Sequence, residues 1–148
     1  MAADQAVQGV ESLPNPNFVI PIRIYYEDTD AGGIVYHASY LRFMERARTD
    51  FLRHLGYERR RLAAEFHVQF VVTDMTIKYA KPALLDDMVQ ATLHIKSLGH
   101  ARVIFGQTIE RSGELLTVAS VSAVCVTLDG IKPAPLPRPL REKMKGLM

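Results

Sequence analysis

Apolar residues along the chain change their spacing after residue 55, and this change separates one long helix from a series of strands. Between 39 and 55 they recur every three or four residues, which predicts an amphipathic helix buried on one broad face. Segments rich in Val, Ile, Thr and Phe predict later strands near 67–80, 87–98, 101–111 and 114–128. A first strand over about 18–26 and a short second helix over 58–66 complete the pattern.

Turn signals between the later strands are short, so neighbouring strands should run antiparallel. They occur at Lys81-Pro82, at Gly99 and at Ser112-Gly113. One long helix followed by four long strands predicts an α+β domain, in which an antiparallel sheet covers one side of the helix. We expect this domain to span 18–137. A flexible tail over 1–17 should precede it, and a basic tail over 138–148 should follow it.

Composition restricts the class of protein. With 148 residues, 48% of them hydrophobic, the chain is the size of one domain. Its single cysteine, Cys125, cannot form an intramolecular disulfide, and the N-terminus has no signal-peptide pattern, so we expect a cytoplasmic location. A net charge of +2 is too small to indicate nucleic-acid binding. The longest uncharged stretch, 115–128, is too short to span a membrane.

Candidate chemistry concentrates between the first strand and the long helix. Three acidic residues, Glu27, Asp28 and Asp30, precede a Gly-Gly pair, and His37 then leads into the helix. The free N–H groups at the helix start should therefore lie close to the Asp30 side chain. A carboxylate beside such donors suits acyl chemistry, because it can attack a carbonyl or activate water while the donors stabilise the oxyanion. The alternative is that Asp30 only stabilises a glycine turn, as Asp commonly does.

Other chemistries find little support in the sequence. Asp28 and Asp30 match the start of a calcium-binding loop, but the rest of that motif is missing. Gly32 and Ser39 occupy the positions of its later ligands. The histidines lack metal-binding spacing and one cysteine cannot build a zinc site, so we expect no metal. No serine-nucleophile, phosphate-cradling or dinucleotide motif is present, and we expect no cofactor.

Three segments of the sequence resemble a known family. They are EDTDAGGIVYHASYLRFMERARTDFLRHLGY, VVTDMTIKYAKPALLDDMV and AVCVTLDGIKPAPLP. Together they resemble the hot-dog-fold acyl-CoA thioesterases, specifically the Tol-Pal-associated branch of the 4-hydroxybenzoyl-CoA thioesterase family. The similarity runs from about Ile20 to about Pro137. It implies a curved antiparallel sheet wrapped around the helix, subunits that join their sheets edge to edge, and a homo-oligomer that is a dimer or tetramer.

The resemblance also assigns site residues. It implies that Asp30 is the catalytic carboxylate, as nucleophile or general base, and that Tyr26 and His37 line the same pocket. The backbone N–H of His37 would polarise the thioester carbonyl. The implied substrate is acyl-CoA or an acyl chain on acyl carrier protein. Basic residues at 59–61 and Lys132 are candidates for binding coenzyme A phosphates, but no motif assigns them.

Two other functions remain open at this point. The same fold can hold an acyl thioester without cleaving it, as a binding or scaffolding protein acting with envelope machinery or lipid-synthesis enzymes. A dehydratase or hydratase acting on 3-hydroxyacyl thioesters is the third alternative, and the DTDAGG block argues against it.

Overall fold

The computed structural model describes residues 15–148, which form one five-stranded antiparallel sheet with a long helix packed against it. The strands are β1 (Phe18–Arg23), β2 (Val68–Tyr79), β3 (Met88–Leu98), β4 (Arg102–Arg111) and β5 (Glu114–Thr127). Their order across the sheet is β1-β3-β4-β5-β2, with every pairing antiparallel. The predicted α+β architecture is confirmed.

The long helix, α1 (Ser39–His54), buries one face against the sheet. Its buried apolar residues are Tyr40, Phe43, Met44, Ala47 and Phe51, which keep the three-and-four spacing of the sequence pattern. The facing side chains of the sheet include Ala91, Leu93, Phe105, Ile109 and Val121, and all of them belong to the same buried cluster. The core therefore lies between one face of the helix and one face of the sheet.

The first strand ends earlier than the alternation predicted. Instead of continuing to residue 26, the chain enters a 3₁₀ turn over Tyr26–Asp28. The buried Asp28 causes this, because its Oδ2 accepts from the Tyr25 N–H at 2.8 Å and its own N–H donates to the Tyr25 carbonyl at 3.0 Å. These two bonds fold the chain back towards the start of α1.

A short second helix lies where the sequence predicted it. It consists of α2 (Arg59–Arg61) followed by a π-helical turn (Leu62–Phe66). His67 then adopts a left-handed conformation with φ 56° and ends the helix. The next residue begins β2, so this helix connects α1 to one edge of the sheet.

The segment 138–148, for which the sequence predicted only a basic tail, contains the helix α3 (Arg138–Lys145). An isolated helix this short is marginal in water, so its packing must stabilise it. Leu140 and Met144 lie four residues apart on one face, and both are fully buried. Lys143 Nζ also donates to the Leu55 carbonyl at 2.8 Å, just beyond the end of α1.

The predicted N-terminal tail over 1–17 falls mostly on residues 1–14, which lie outside the described residues. Asn17 is described, and it connects β3 to the residues that follow α3. Its Nδ2 donates to the Leu147 carbonyl at 3.1 Å and its Oδ1 accepts from the Ile95 N–H at 2.8 Å. Over residues 15–148, no helix is long and apolar enough to cross a membrane.

Candidate active site

The turn between the 3₁₀ segment and α1 is closed by hydrogen bonds that centre on Asp30. Its N–H donates to the Ile34 carbonyl at 2.9 Å, and its carbonyl accepts from the Gly33 N–H at 3.1 Å. Its carboxylate Oδ1 accepts from the Gly32 N–H at 2.8 Å. Gly33 has φ 82°, a conformation that glycine adopts without steric cost. The turn therefore fixes the Asp30 backbone and engages one of its two carboxylate oxygens.

The first residues of α1 are tied to the same turn. Ser39 Oγ donates to the Asp28 carbonyl at 3.1 Å, and the Ser39 N–H donates to the Tyr36 carbonyl at 2.8 Å. Ala38 is the N-cap and makes no side-chain cap bond. The backbone N–H of His37 donates to no acceptor within residues 15–148. The helix thus begins with a backbone donor that is available to a ligand.

An open cavity of about 320 Å³ lies in front of this helix start. It is lined by Asp30, Ile34, Val35, His37, Tyr40, Tyr79, Ala80, Lys81 and Pro82. Two of the three residues predicted for the site, Asp30 and His37, are therefore brought together. The third, Tyr26, does not line this cavity and its side chain is 81% exposed on the 3₁₀ turn.

Two tyrosines in the cavity wall were not singled out from the sequence as site residues. Tyr79, at the end of β2, donates from Oη to the His37 carbonyl at 2.8 Å. Its ring lies 5.5 Å from that of Tyr40, whose Oη accepts from the Ala83 N–H at 3.0 Å. Burial raises the pKa of both phenols, so both stay protonated and Tyr79 remains a donor. The two tyrosines fix the helix start against the segment that follows β2.

Charged side chains hold that following segment in place. Lys81 Nζ lies 2.9 Å from Glu114, while the Arg111 guanidinium contacts Glu114 and Asp87, each at 2.7 Å. Partial burial by itself raises the pKa of Asp87, but the Leu84 N–H and Arg111 together bring it below its ordinary value. The segment is therefore anchored to the β4–β5 hairpin, and it carries Lys81 into the cavity wall.

The remaining candidate residues lie outside the cavity. Burial raises the pKa of the Cys125 thiol to about 11, which makes it a poor nucleophile at neutral pH. Arg59 donates to Gln69 and Arg61 to Glu65, so both guanidinium groups are engaged within the chain. In the part of the chain that the structure describes, no three His, Cys, Asp or Glu side chains cluster as a metal site would require.

The family model for the thioesterase-like superfamily matches residues 25–144. The chain belongs to this superfamily. The acyl-CoA thioester hydrolase YbgC of Escherichia coli O157:H7 is 47% identical over 126 residues, which cover 84% of this chain and 93% of the relative. The acyl-CoA thioesterase YbgC of Haemophilus influenzae is 41% identical over 124 residues, which cover 84% of this chain and 91% of the relative.

Solved structures agree with this assignment. A probable thioesterase from Bartonella henselae has a TM-score of 0.77 at 35% identity, covering 80% of this chain and 98% of its own. A 1,4-dihydroxy-2-naphthoyl-CoA thioesterase from Synechocystis has a TM-score of 0.81 at 25% identity, and the match covers 88% of this chain and 96% of the Synechocystis chain. The predictions of the hot-dog fold and of a thioester hydrolase are confirmed.

Proposed function

We propose that this chain hydrolyses the thioester of acyl-CoA, or of acyl chains carried on acyl carrier protein, at the cavity in front of α1. One observation carries the proposal: the Asp30 carboxylate and the available His37 N–H lie on the same cavity at a helix N-terminus. The relatives named for acyl-CoA hydrolysis support the choice of substrate, since they align over more than four fifths of the chain.

Asp30 supplies the reactive oxygen. The Gly32 N–H engages Oδ1, which leaves Oδ2 to react. In one route Oδ2 attacks the thioester carbonyl, and the C–S bond breaks as the thiolate leaves, which gives a mixed anhydride. Water then hydrolyses the anhydride, and a proton released in that step converts the thiolate into the thiol. In the other, Asp30 removes a proton from a water molecule that attacks the carbonyl, and the thiol leaves with that proton. Both routes yield a carboxylic acid and a free thiol.

His37 supplies the electrostatic part through its backbone. Negative charge develops on the carbonyl oxygen in either route, and a fixed N–H at a helix start stabilises that charge. Removing one such donor typically costs about 2.7 to 4 kcal/mol of barrier lowering in other enzymes. The His37 imidazole packs 4.5 Å from the Tyr36 ring, centroid to centroid, and His37 lines the cavity. There it can contact the substrate or shuttle a proton.

Tyr26 is assigned to the pocket by the family resemblance alone. With a side chain that is 81% exposed, it can reach bound substrate only if the substrate or a second subunit extends over the 3₁₀ turn. We therefore propose Tyr26 as a contact to the bound thioester and Asp30 as the reacting group.

A homo-oligomer is part of the proposal. β2 is an edge strand of twelve residues, and it carries Val72 at 50% and Tyr79 at 46% exposure. A long edge with exposed apolar side chains favours pairing with another strand. We propose that two copies join through β2 into a dimer, and that two dimers form a tetramer. A cytoplasmic location and a role beside the Tol-Pal envelope system rest on the family resemblance.

The deciding experiment measures free-thiol release from short, medium, long and aromatic acyl-CoAs, and from acyl carrier protein substrates. We expect Asp30→Asn to reduce turnover by about 10²- to 10⁴-fold, the usual contribution of such a group. Asp86→Asn is the matched control, because Asp86 is exposed and its left-handed backbone, φ 71°, suits asparagine. Wild-type turnover in Asp30→Asn would remove Asp30 from the mechanism. Binding without turnover in either form would favour the scaffolding function.

A further inference from the structure

A second cavity, of about 260 Å³, lies between α1 and the edge strand β2. It is lined by Glu45, Arg48, Thr49, Leu52, Arg59, Leu62, Gln69, Phe70, Val71, Val72, Phe105 and Ala123. None of these residues lines the cavity that contains Asp30. An engineered cavity of about 150 Å³ suffices to bind benzene, so this space can hold a larger apolar body.

Arg48 is the unusual member of this lining. Its Nη1 donates to Gln107 Oε1 at 2.8 Å, and Gln107 Nε2 donates to the Met44 carbonyl at 3.0 Å. Gln107 is only 1% exposed, so the guanidinium is held from the core side by a fixed amide. Burial lowers the pKa of Arg48 and the charge of Glu45 partly offsets this, but no carboxylate among residues 15–148 lies within ion-pairing distance of the guanidinium.

A partly desolvated guanidinium that no carboxylate contacts directly is costly, and an anionic ligand would offset that cost. The remaining N–H donors of Arg48 can bind two carboxylate oxygens side by side. A second guanidinium, that of Arg59, also lines the cavity and is held by Gln69 Oε1 at 2.9 Å. Glu45 supplies the single carboxylate of the lining, so these three charges sum to one positive charge.

The walls indicate what the anionic group is attached to. Leu52, Leu62, Phe70 and Phe105 contribute aliphatic and aromatic surface from the helices and from two strands. Such walls bury hydrocarbon favourably, at roughly 25 cal/mol per Å² removed from water. The cavity thus combines a cationic group with an apolar lining, as small-molecule sites commonly do.

We propose that this cavity binds a carboxylate on an apolar body, such as a medium-chain or aryl carboxylic acid, with the carboxylate paired to Arg48. The choice of ligand class rests on the proposed function, because thioester hydrolysis releases such acids. Two sources share this chemistry: a free acid, and the distal carboxylate of an acyl group that is still bound as a thioester.

The test is calorimetric titration of the full chain with sodium octanoate, using octanamide as the uncharged probe. We expect Arg48→Met to weaken octanoate binding by about tenfold, which corresponds to the loss of a charge-assisted hydrogen bond. Glu45→Gln should strengthen binding, because it removes the only negative charge of the lining. Arg53→Gln is the matched control: Arg53 is an exposed residue of the same helix, paired with Asp50, and its loss should change nothing. Equal octanoate affinity in Arg48→Met and Arg53→Gln would overturn the proposal.

Two further measurements keep the result interpretable. If Arg48→Met unfolds because Gln107 loses its partner, the Glu45→Gln variant and the preference for octanoate over octanamide decide the question. The absence of both effects would reject the site. Asp30→Asn should bind octanoate normally, so a failure of the proposed hydrolysis would not be confused with a failure of this site.

Inhibition kinetics distinguish the two sources of the carboxylate. Competitive inhibition by octanoate, together with a loss of kcat/KM for dicarboxylyl-CoA in Arg48→Met, would assign the site to the distal end of the substrate. Non-competitive inhibition that is relieved in Arg48→Met would assign it to the free acid.

Discussion

The two ends of helix α1 are built differently. At the C-terminal end, Lys143 bonds the Leu55 carbonyl, Arg61 bonds the Gly56 carbonyl at 2.8 Å, and Phe18 packs 5.8 Å from the Phe51 ring. At the N-terminal end, no side chain caps Ala38 and a cavity lies open in front of the helix. The chain bonds the carbonyls that follow the helix internally and leaves the N–H of His37, just before the helix, to a ligand. Contacts that close the end of the helix should therefore add stability at the C-terminal end, whereas the chemistry should depend on the N-terminal end.

The largest effect should come from the C-terminal end. Phe51 is fully buried between Phe18 and Phe105, and truncating such a residue to alanine costs about 3 to 5 kcal/mol. Urea unfolding of Phe51→Ala should show this loss, while turnover per folded molecule stays close to that of the wild type. Leu41→Ala, at an exposed position of the N-terminal half, should cost less than about 0.5 kcal/mol. An unfolding free energy of Phe51→Ala close to that of the wild type would contradict this role of the C-terminal contacts.

The same substitution, glycine to alanine, can be compared at the two ends of α1. Gly33, in the turn before α1, and Gly56, just beyond its C-terminal end, have φ 82° and 89°. Neither has a neighbour within 3.4 Å of an added Cβ, so alanine should cost about 1 to 2 kcal/mol at each through backbone strain alone. Only Gly33→Ala should also reduce thiol release, because the Gly33 N–H bonds the Asp30 carbonyl. Reduced turnover in Gly56→Ala would show that the two ends are coupled.

A smaller effect on turnover should distinguish the loss of the Tyr79 hydroxyl from the loss of the Tyr57 hydroxyl. Tyr79→Phe removes the hydrogen bond to the His37 carbonyl, worth about 0.5 to 1.5 kcal/mol. If the bond orients the His37 N–H, turnover should fall about fivefold with KM unchanged. Tyr57→Phe, near the C-terminal end of α1, is the control and should leave both constants unchanged. A change in KM alone would assign Tyr79 to substrate binding rather than to positioning.

The sequence predicted most of the fold because the deciding signals are local. The period of α1 and the β-rich segments define their elements to within about one residue, apart from the end of β1. There the Asp28 carboxylate accepts a hydrogen bond from the Tyr25 N–H, three residues earlier, and ends the strand. An alternating pattern of apolar residues does not reveal such a bond. Helix α3 was missed because its two buried residues stand among five basic or acidic ones.

The candidate site was predicted only in part, for a different reason. Asp30 and His37 lie in one short segment, so a local motif could connect them. Tyr79 follows His37 by 42 residues and reaches it only because β2 occupies a sheet edge beside the start of α1. Arg48 was not singled out from the sequence. Its role depends on Gln107, a buried amide on β4 that no sequence pattern connects to it.

The contact between Asn17 and the Leu147 carbonyl makes the chain suitable for circular permutation. It brings both ends of the described chain to the C-terminal end of α1, where Phe18 and Lys143 also lie. The helix has sixteen residues and is therefore about 24 Å long, which separates this point from the cavity at Asp30. A short peptide could join the two ends, and the chain could be reopened at the Ser112-Gly113 turn between β4 and β5. Such a circular permutant would keep every strand pairing. Its new termini would lie where β4 ends and β5 begins.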